Sequence, residues 1–318
     1  MSELTRLRPT EGAVSRLRPT EGAVSRLRPT EGAIPLRPLT FGELLDAAVA
    51  LLRTRAWPLV GVGVLLAVIE QALLFPLRSF ADQDISMLPA TGRLNQFAAL
   101  MIGGFTTEAM VISTLAALAA GQAGPALLGR FAPMRRPLRR GSIAVVVVAV
   151  GIVAAITTTP FLLLEPLQVL GFFVAGICTL AAWPLPYGLI GLAAPAVVVE
   201  HRGPGSALVR SLRLAGRAGM RAAFIRVLGW SSWTVARLAL ILATRALVSL
   251  IWGDLPSSTW DRVLLAAAAL VVNAVAYPVL GCLDVVLLLE GRMRSEGLDI
   301  ALRWAMRRGM TPSLEAPR

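Results

Sequence analysis

LQVLGFFVAGICTLAAWPLPYGLIGLAAPAVVV, residues 167–199, runs without a charged side chain. As one straight helix it would be about 50 Å long at roughly 1.5 Å per residue. A bilayer's hydrocarbon core is only ~30 Å thick, and some 18 or more successive apolar residues mark a helix that crosses it. The run is therefore membrane-spanning, with an excess of length that WPLPYG explains. Pro184 and Pro186 interrupt the helical hydrogen-bond ladder, and Pro195 interrupts it again. The reading is a kinked helix whose second half lies near the cytoplasmic interface. Broken helices line substrate sites in many transporters, but proline kinks also serve packing alone, and packing is the favoured reading here.

The same pattern repeats on either side. Apolar runs cover about 57–80, 97–120 and 143–164, then the run from 167, then about 228–251 and 263–289. Each approaches the ~20 residues that a crossing needs, which predicts an all-α integral membrane protein of six transmembrane helices. The loops give an independent count. Residues 130–140 hold five arginines and residues 202–226 six, and the tail after Glu290 is arginine-rich. The loops at 81–96, 165–166 and 252–262 hold acids and few arginines. Basic and acidic loops alternate as six spans require, and positive charge stays inside. Both termini are thus expected in the cytoplasm of a bacterial plasma membrane.

Composition agrees. Hydrophobic residues make up 56% of the chain and charged residues 16%, below the ~25% charged share of soluble domains. The net charge of +12 comes from arginine alone, since lysine is absent; that bias suits a GC-rich bacterial genome. A basic balance can mean nucleic acid, but the arginines flank apolar spans, where they set orientation and meet anionic lipid. No nucleic-acid partner is expected. Cys178 and Cys282 lie inside apolar runs at different depths, so no disulfide is expected.

Ahead of the spans stands RLRPTEGAVSRLRPTEGAVSRLRPTEGAIP, three near-identical ten-residue units from Arg6 to Pro35. Each carries Pro and Gly and has no apolar period, so it cannot bury enough surface to offset the entropy of ordering. Residues 1–35 are read as a disordered cytoplasmic tail that arose by recent duplication or from a start codon assigned too far upstream. No signal-peptide core is visible before Trp57. The domain reading is 1–35 tail, 36–308 six-span membrane domain and 309–318 disordered C-terminal tail.

Three amphipathic helices are expected on the cytoplasmic side: 39–56, 206–226 and about 297–308. The first opens with Thr40 and Glu43 at capping-box spacing and reads as interfacial. In the second, Arg210, Arg213, Arg217 and Arg221 are spaced by three and four residues, so they share one helical face. Their guanidinium groups can fork onto lipid phosphates, although an orientation signal is the simpler reading. In the third, Leu298, Ala301, Leu302 and Ala305 oppose Arg303 and Arg307.

Within the spans lie Glu70, Glu108, Arg237 and Arg245, with Asn273 in the sixth. A charge at such depth is expensive and faces a partner or a wet cavity. An intramembrane polar network is expected, with Glu108 and Arg237 as its central pair. It either locks helices together or forms a path for an ion, proton or lipid head group. Asp284 lies nearer the cytoplasmic end, in reach of an interfacial arginine. Enzyme signatures are missing: one histidine, His201, builds no metal cluster, and neither a G-x-S-x-G elbow nor a phosphate-binding loop occurs. Glu200 beside His201 reads as a solvated turn. No cofactor and no metal are expected.

IPLRPLTFGELLDAAVALLR (34–53), LAAPAVVVEHRGPGSALVRSLRLAGR (192–217) and LLLEGRMRSEGLDIALRW (287–304) resemble uncharacterised actinobacterial multispanning membrane proteins. Those are similar to the membrane domain attached to some glycerophosphodiester phosphodiesterases. The resemblance covers roughly 34–305 and implies a fold and a location. It does not imply phosphodiesterase activity, because the chain has no room for the catalytic domain and lacks its histidine-rich metal site. The expected function is a non-enzymatic scaffold or accessory subunit working with anionic lipid or an envelope partner. The alternative is a small transporter or lipid-handling protein that uses the intramembrane charges and the WPLPYG break.

Overall fold

A computed structural model describes residues 34–35, 37–81, 94–127, 140–164, 168–216, 220–253, 258–308 and 314. The repeat up to residue 33, Arg217, most of the 130–140 loop and nearly all of the C-terminal tail lie outside these residues. All regular structure among the described residues is helical. In chain order the helices are α1 (Phe41–Thr54), α2 (Ala56–Phe80), α3 (Leu94–Ala120), α4 (Ala123–Leu127), α5 (Arg140–Leu164) and α6 (Gln168–Ala182). They continue as α7 (Pro184–Ile190), α8 (Ala193–Val199), α9 (Pro204–Gly216), α10 (Arg221–Trp252), α11 (Ser258–Glu296) and α12 (Leu298–Arg307). Among the described residues six segments are long and apolar enough to cross a membrane: Ala56–Phe80, Leu94–Ala120, Gly141–Leu164, Val169–Val199, Arg221–Ile251 and Thr259–Glu296. This is the architecture of a multi-pass membrane protein.

The last span is the axis of the fold. In its most apolar stretch α11 has 56% of residues buried, against 11% for α10. Helices α1, α2, α3 and α10 all pack on it, and Val285–Leu289 are closed off completely. Glycine makes the approach possible. A Cβ at Gly281 would sit 2.9 Å from the Ala116 backbone nitrogen and 3.0 Å from the Leu115 carbonyl carbon, so α3 and α11 touch backbone to backbone. At Gly63 of α2 a Cβ would fall 2.5 Å from the ring of Pro278.

Contact order along these seams gives the directions. Gly229, Arg226 and Arg221 meet Leu283, Asp284 and Glu290 in turn, so α10 and α11 are antiparallel. Gly103 and Thr107 meet Leu77 and Glu70, so α2 and α3 are antiparallel too. The start of α10 and the end of α11 therefore share one end of the bundle. Helix α9 packs there against α8, α10 and α11. We refer to this as the arginine-rich end.

Three expectations need correcting. Helix α1 is capped as its sequence suggests: the Glu43 carboxylate accepts the Thr40 backbone N–H at 2.8 Å and its hydroxyl at 2.9 Å. Its apolar face of Leu44, Ala47, Ala48 and Leu51, however, is buried on α11 rather than free for an interface. The chain breaks at Trp183–Pro184 as WPLPYG suggests, and Pro184 and Pro186 occupy the first turn of α7, where a missing N–H costs nothing. Helix α8 is then buried against α3, α5 and α9 and leads into Glu200 at the arginine-rich end. Of the amphipathic helix expected over 206–226, the described part is α9, Pro204–Gly216. Met220 takes a left-handed φ of 61° and starts α10 at Arg221, which carries Arg221 and Arg226 onto a spanning helix. Arg210 and Arg213 thereby stand on α9 and Arg221 on α10, so these three do not share one helical face. Finally, the Glu200 side chain is fully buried, not a solvated turn.

Candidate functional site

Polar groups concentrate at two levels of the bundle. The first lies at mid-length. Glu70, some four turns into α2, is 3% exposed. The Tyr277 hydroxyl donates to its two carboxylate oxygens at 2.8 and 2.9 Å. Asn273 Nδ2 donates to Oε2 at 3.0 Å and Gln71 Nε2 to the same atom at 3.4 Å. Asn273 and Tyr277 are four residues apart on α11, one turn above the other, which is why both reach one carboxylate. Thr107 of α3 donates its hydroxyl to Glu70 Oε1 at 3.5 Å, and the next residue, Glu108, accepts Arg237 Nη2 at 2.7 Å. Arg237 reaches in from α10 with its side chain 21% exposed. Glu70, Glu108, Arg237 and Asn273 thus share one neighbourhood. Arg245 is not in it: two turns further along α10 it points outward.

Aromatic rings from the helix break close the side of this cluster nearer the arginine-rich end. Trp183 and Tyr187 flank Pro184 and Pro186 and stack with centroids 5.4 Å apart. Trp230 of α10 lies 5.9 Å from each. Phe105, one turn before Glu108, sits 4.8 Å from Trp183. Arg226 lies over the Tyr187 ring at 3.8 Å and donates to both oxygens of Asp284 at 2.5 and 2.9 Å. Arg226 and Asp284 are almost wholly buried, so each charge relies on the other. Gly191 leaves the space for that guanidinium, since a Cβ there would overlap it.

The second level is the arginine-rich end. Glu200, the last residue before the α9 loop, is bound by Arg202 Nε at 2.6 Å, by Arg210 Nε and Nη2 at 3.0 Å, and by Arg292 at 3.4 Å. Arg210 also donates to Glu296 at 2.7 Å. Burial alone would discourage its charge, but the carboxylates of Glu296 and Glu200 outweigh that cost and raise its pKa above the ordinary arginine value. Beside this hub, Glu290 pairs with Arg294 and, at 3.6 Å, with Arg221. Arg221 and Arg294 donate to one carbonyl, that of Leu39, at 2.8 and 3.0 Å.

Of the arginines expected to face lipid phosphate, Arg210 and Arg221 are therefore held by protein acceptors, Arg213 is exposed, and Arg217 lies outside the described residues. A shallow hollow of about 320 Å³ opens at the start of α9, between Arg202, Ser206, Arg210 and Arg213. A second, of about 510 Å³, lies at the α11–α12 elbow against Ile300 and Trp304.

Several members of these networks escaped sequence reasoning. Tyr277, Trp183 and Trp230 sit in apolar runs and read as core. Arg226 read as part of a surface helix. Glu290, Arg292, Arg294 and Glu296 read as an undivided basic tail. The one available signal was spacing, in the i,i+4 recurrence of Asn273 with Tyr277 and of Arg292 with Glu296. Among the described residues no group of three or more His, Cys, Asp or Glu could hold a metal ion. No protein-family model, curated protein or solved structure matches this chain.

Proposed function

We propose that this is a multi-pass protein of a bacterial plasma membrane, with both termini and the helices α1, α9 and α12 on the cytoplasmic face. It acts without catalysis, as a scaffold or accessory subunit that engages anionic lipid or an envelope partner. The observation that carries the reading is how the buried charges are used. Asp284–Arg226, Glu108–Arg237 and the Glu200 hub each join different helices, as a rigid platform needs. Facing outward at the arginine-rich end are, among others, Arg213 of α9 and Ile300, Trp304, Arg303 and Arg307 of α12. An aromatic and aliphatic face rimmed by arginine suits a headgroup interface. The alternation of basic and acidic loops supports the orientation.

The test is gentle extraction of the tagged full-length protein from its native membrane, with co-purifying lipid and protein identified. Retention of anionic lipid together with a stoichiometric membrane or envelope protein is the expected result. A protein that emerges alone, with lipid in bulk proportions, overturns the reading. A second reading, a small transporter or lipid-handling protein, draws on one observation: the WPLPYG break stacks its Trp183 and Tyr187 within one cluster with Trp230 and Phe105, beside Glu108–Arg237. Uptake or flipping of a solute by proteoliposomes that hold this protein alone would move the assignment there.

A further inference from the structure

We propose that the hollow at the start of α9 binds the phosphate monoester headgroup of a membrane lipid, held between Arg202 and Arg213. The reason lies in the charge count at the Glu200 hub. Arg210 and Arg292 each pair with both Glu200 and Glu296. Two cations and two carboxylates thus close a ring that is neutral by itself and ties the end of α8 to α9 and α11. Arg202 is surplus to that ring. It gives only its Nε to Glu200, at 2.6 Å, and 32% of its side chain is exposed. Arg213, three residues after Arg210 on α9, is exposed and has no carboxylate partner among the described residues. These two surplus arginines border the one hollow of about 320 Å³, with Gly205, Ser206, Val209 and Arg210 as its other walls.

A surplus of two positive charges selects the ligand. A phosphate monoester carries about −1.5 to −2 near neutral pH and offers three strong acceptor oxygens, and guanidinium groups fork onto such oxygens in pairs. A phosphodiester headgroup or a carboxylate brings one charge and leaves one arginine unmatched. The hub also pre-organises the site. Arg202 is anchored through Nε, so its two terminal nitrogens are left for a ligand, while Arg210 is saturated by its two carboxylates and serves as a wall. The first turn of α9 forms the same wall, and the partial positive charge of that helix end adds to the two arginines. Lipid is favoured over a soluble phosphate ester by the apolar margin. Val209 lines the hollow and is 45% exposed, and Leu212, one turn along α9, is 47% exposed. Aliphatic side chains beside a cationic hollow suit a ligand whose phosphate continues into acyl chains.

The site rests on the scaffold reading only for placing this end of the bundle at a headgroup surface, and its test needs no protein partner. Fluorescent phosphatidate is titrated onto the full-length protein in a neutral detergent, then competed with phosphatidylglycerol, phosphatidylcholine or inorganic phosphate. Phosphatidate is expected to bind at least about fivefold more tightly than phosphatidylglycerol. The preference should shrink as the pH falls from about 8 to about 5.5, where the monoester takes up its second proton. Arg213 holds no buried acid, so Arg213→Gln should fold normally and weaken phosphatidate binding by about fivefold. Arg307→Gln removes the same charge from the exposed side of α12 and should change it by less than about twofold. Arg202→Lys keeps a charge near Glu200 but loses the fork, and should weaken binding much as Arg213→Gln does. If that variant fails to fold, the contrast between Arg213 and Arg307 still decides the question. Equal affinity for phosphatidate and phosphatidylglycerol overturns the proposal. So does an equal loss in Arg213→Gln and Arg307→Gln, which reduces binding to overall charge. Displacement by inorganic phosphate at equal concentration assigns the hollow to soluble phosphoryl groups and overturns its assignment to lipid. A protein that purifies without any partner yet keeps the phosphatidate preference overturns the scaffold reading and leaves the site standing.

Discussion

Glu200 and Glu70 are both closed to solvent, yet one is surrounded by three arginines and the other by amides and a phenol. The difference follows from where each stands. Glu200 lies at a helix end beside loops dense in arginine, and long side chains from α9 and α11 can fold back on it while keeping their stems in contact with the protein. Glu70 lies within an apolar span, where each added charge must itself be buried and matched. The end of the bundle therefore gathers an excess of cations around its acids, whereas the middle only matches them, with Arg237 and Arg78 for Glu108 and Glu70. Charge is tolerated according to depth, and the depth of each residue is set by the glycine and proline contacts that fix helix register.

The sharpest way to break this comparison is to remove one partner from the most deeply buried pair. Arg226→Gln or Asp284→Asn alone is expected to cost about 3–5 kcal/mol, because it strands a buried charge. Replacing both with apolar residues of similar volume should recover most of that loss. Chemical denaturation of the three variants in mixed micelles measures it, and a double mutant as unstable as the sum of the singles would show that the two charges do not depend on each other. Arg237 is partly exposed, so its pair with Glu108 should be weaker. Glu108→Gln and Arg237→Gln are expected to couple by about 1–3 kcal/mol in a double-mutant cycle, and strict additivity would separate them. Gly281→Ala tests the register rather than the charges. Its methyl group would press on the α3 backbone, and overpacking of this kind costs about 1–3 kcal/mol; an unchanged melting curve would mean that the seam has slack.

The smallest expected effect is at Glu43. Two hydrogen bonds from Thr40, backbone first, with Arg37 beside them, lower its pKa from 4.5 to about 2. A carboxylate held below its ordinary value contributes stability that is fully present above pH 4.5 and is lost as the pH falls through about 2. The difference in melting temperature between wild type and Glu43→Gln should therefore be largest at pH 5 and shrink towards pH 2. A difference that widens on acidification would contradict the cap.

Much of the fold is written in apolar run length, because crossing a bilayer demands about the same number of residues every time. The six spans, the Thr40–Glu43 cap and the interruption at Pro184 are legible for that reason. What escapes is the third dimension. Arg237 and Arg245 are two turns apart and alike in sequence, and one faces Glu108 while the other faces outward. Periodicity says that Arg213 and Arg221 belong to one amphipathic face, but they stand on two helices, the second of which starts after the left-handed Met220. Tyr277 is grouped with the hydrophobic residues and lies within an apolar run, and its hydroxyl is what binds Glu70. The spans follow from averages over ~20 residues, whereas the candidate site depends on single atoms and on register.

The carbonyl of Leu39 holds two arginines that follow it by 182 and 255 residues in the chain. Leu39 leaves the ribosome long before either, and α11, on which α1 rests, is made last among the spans. The first helix therefore has no seat until the final crossing is complete. Its docking is a closing step, and it records that every span before it has been threaded. A chain that stalls before α11 would display the bare apolar face of Leu44, Ala47, Ala48 and Leu51, which is the kind of surface that chaperones and proteases read as unfinished.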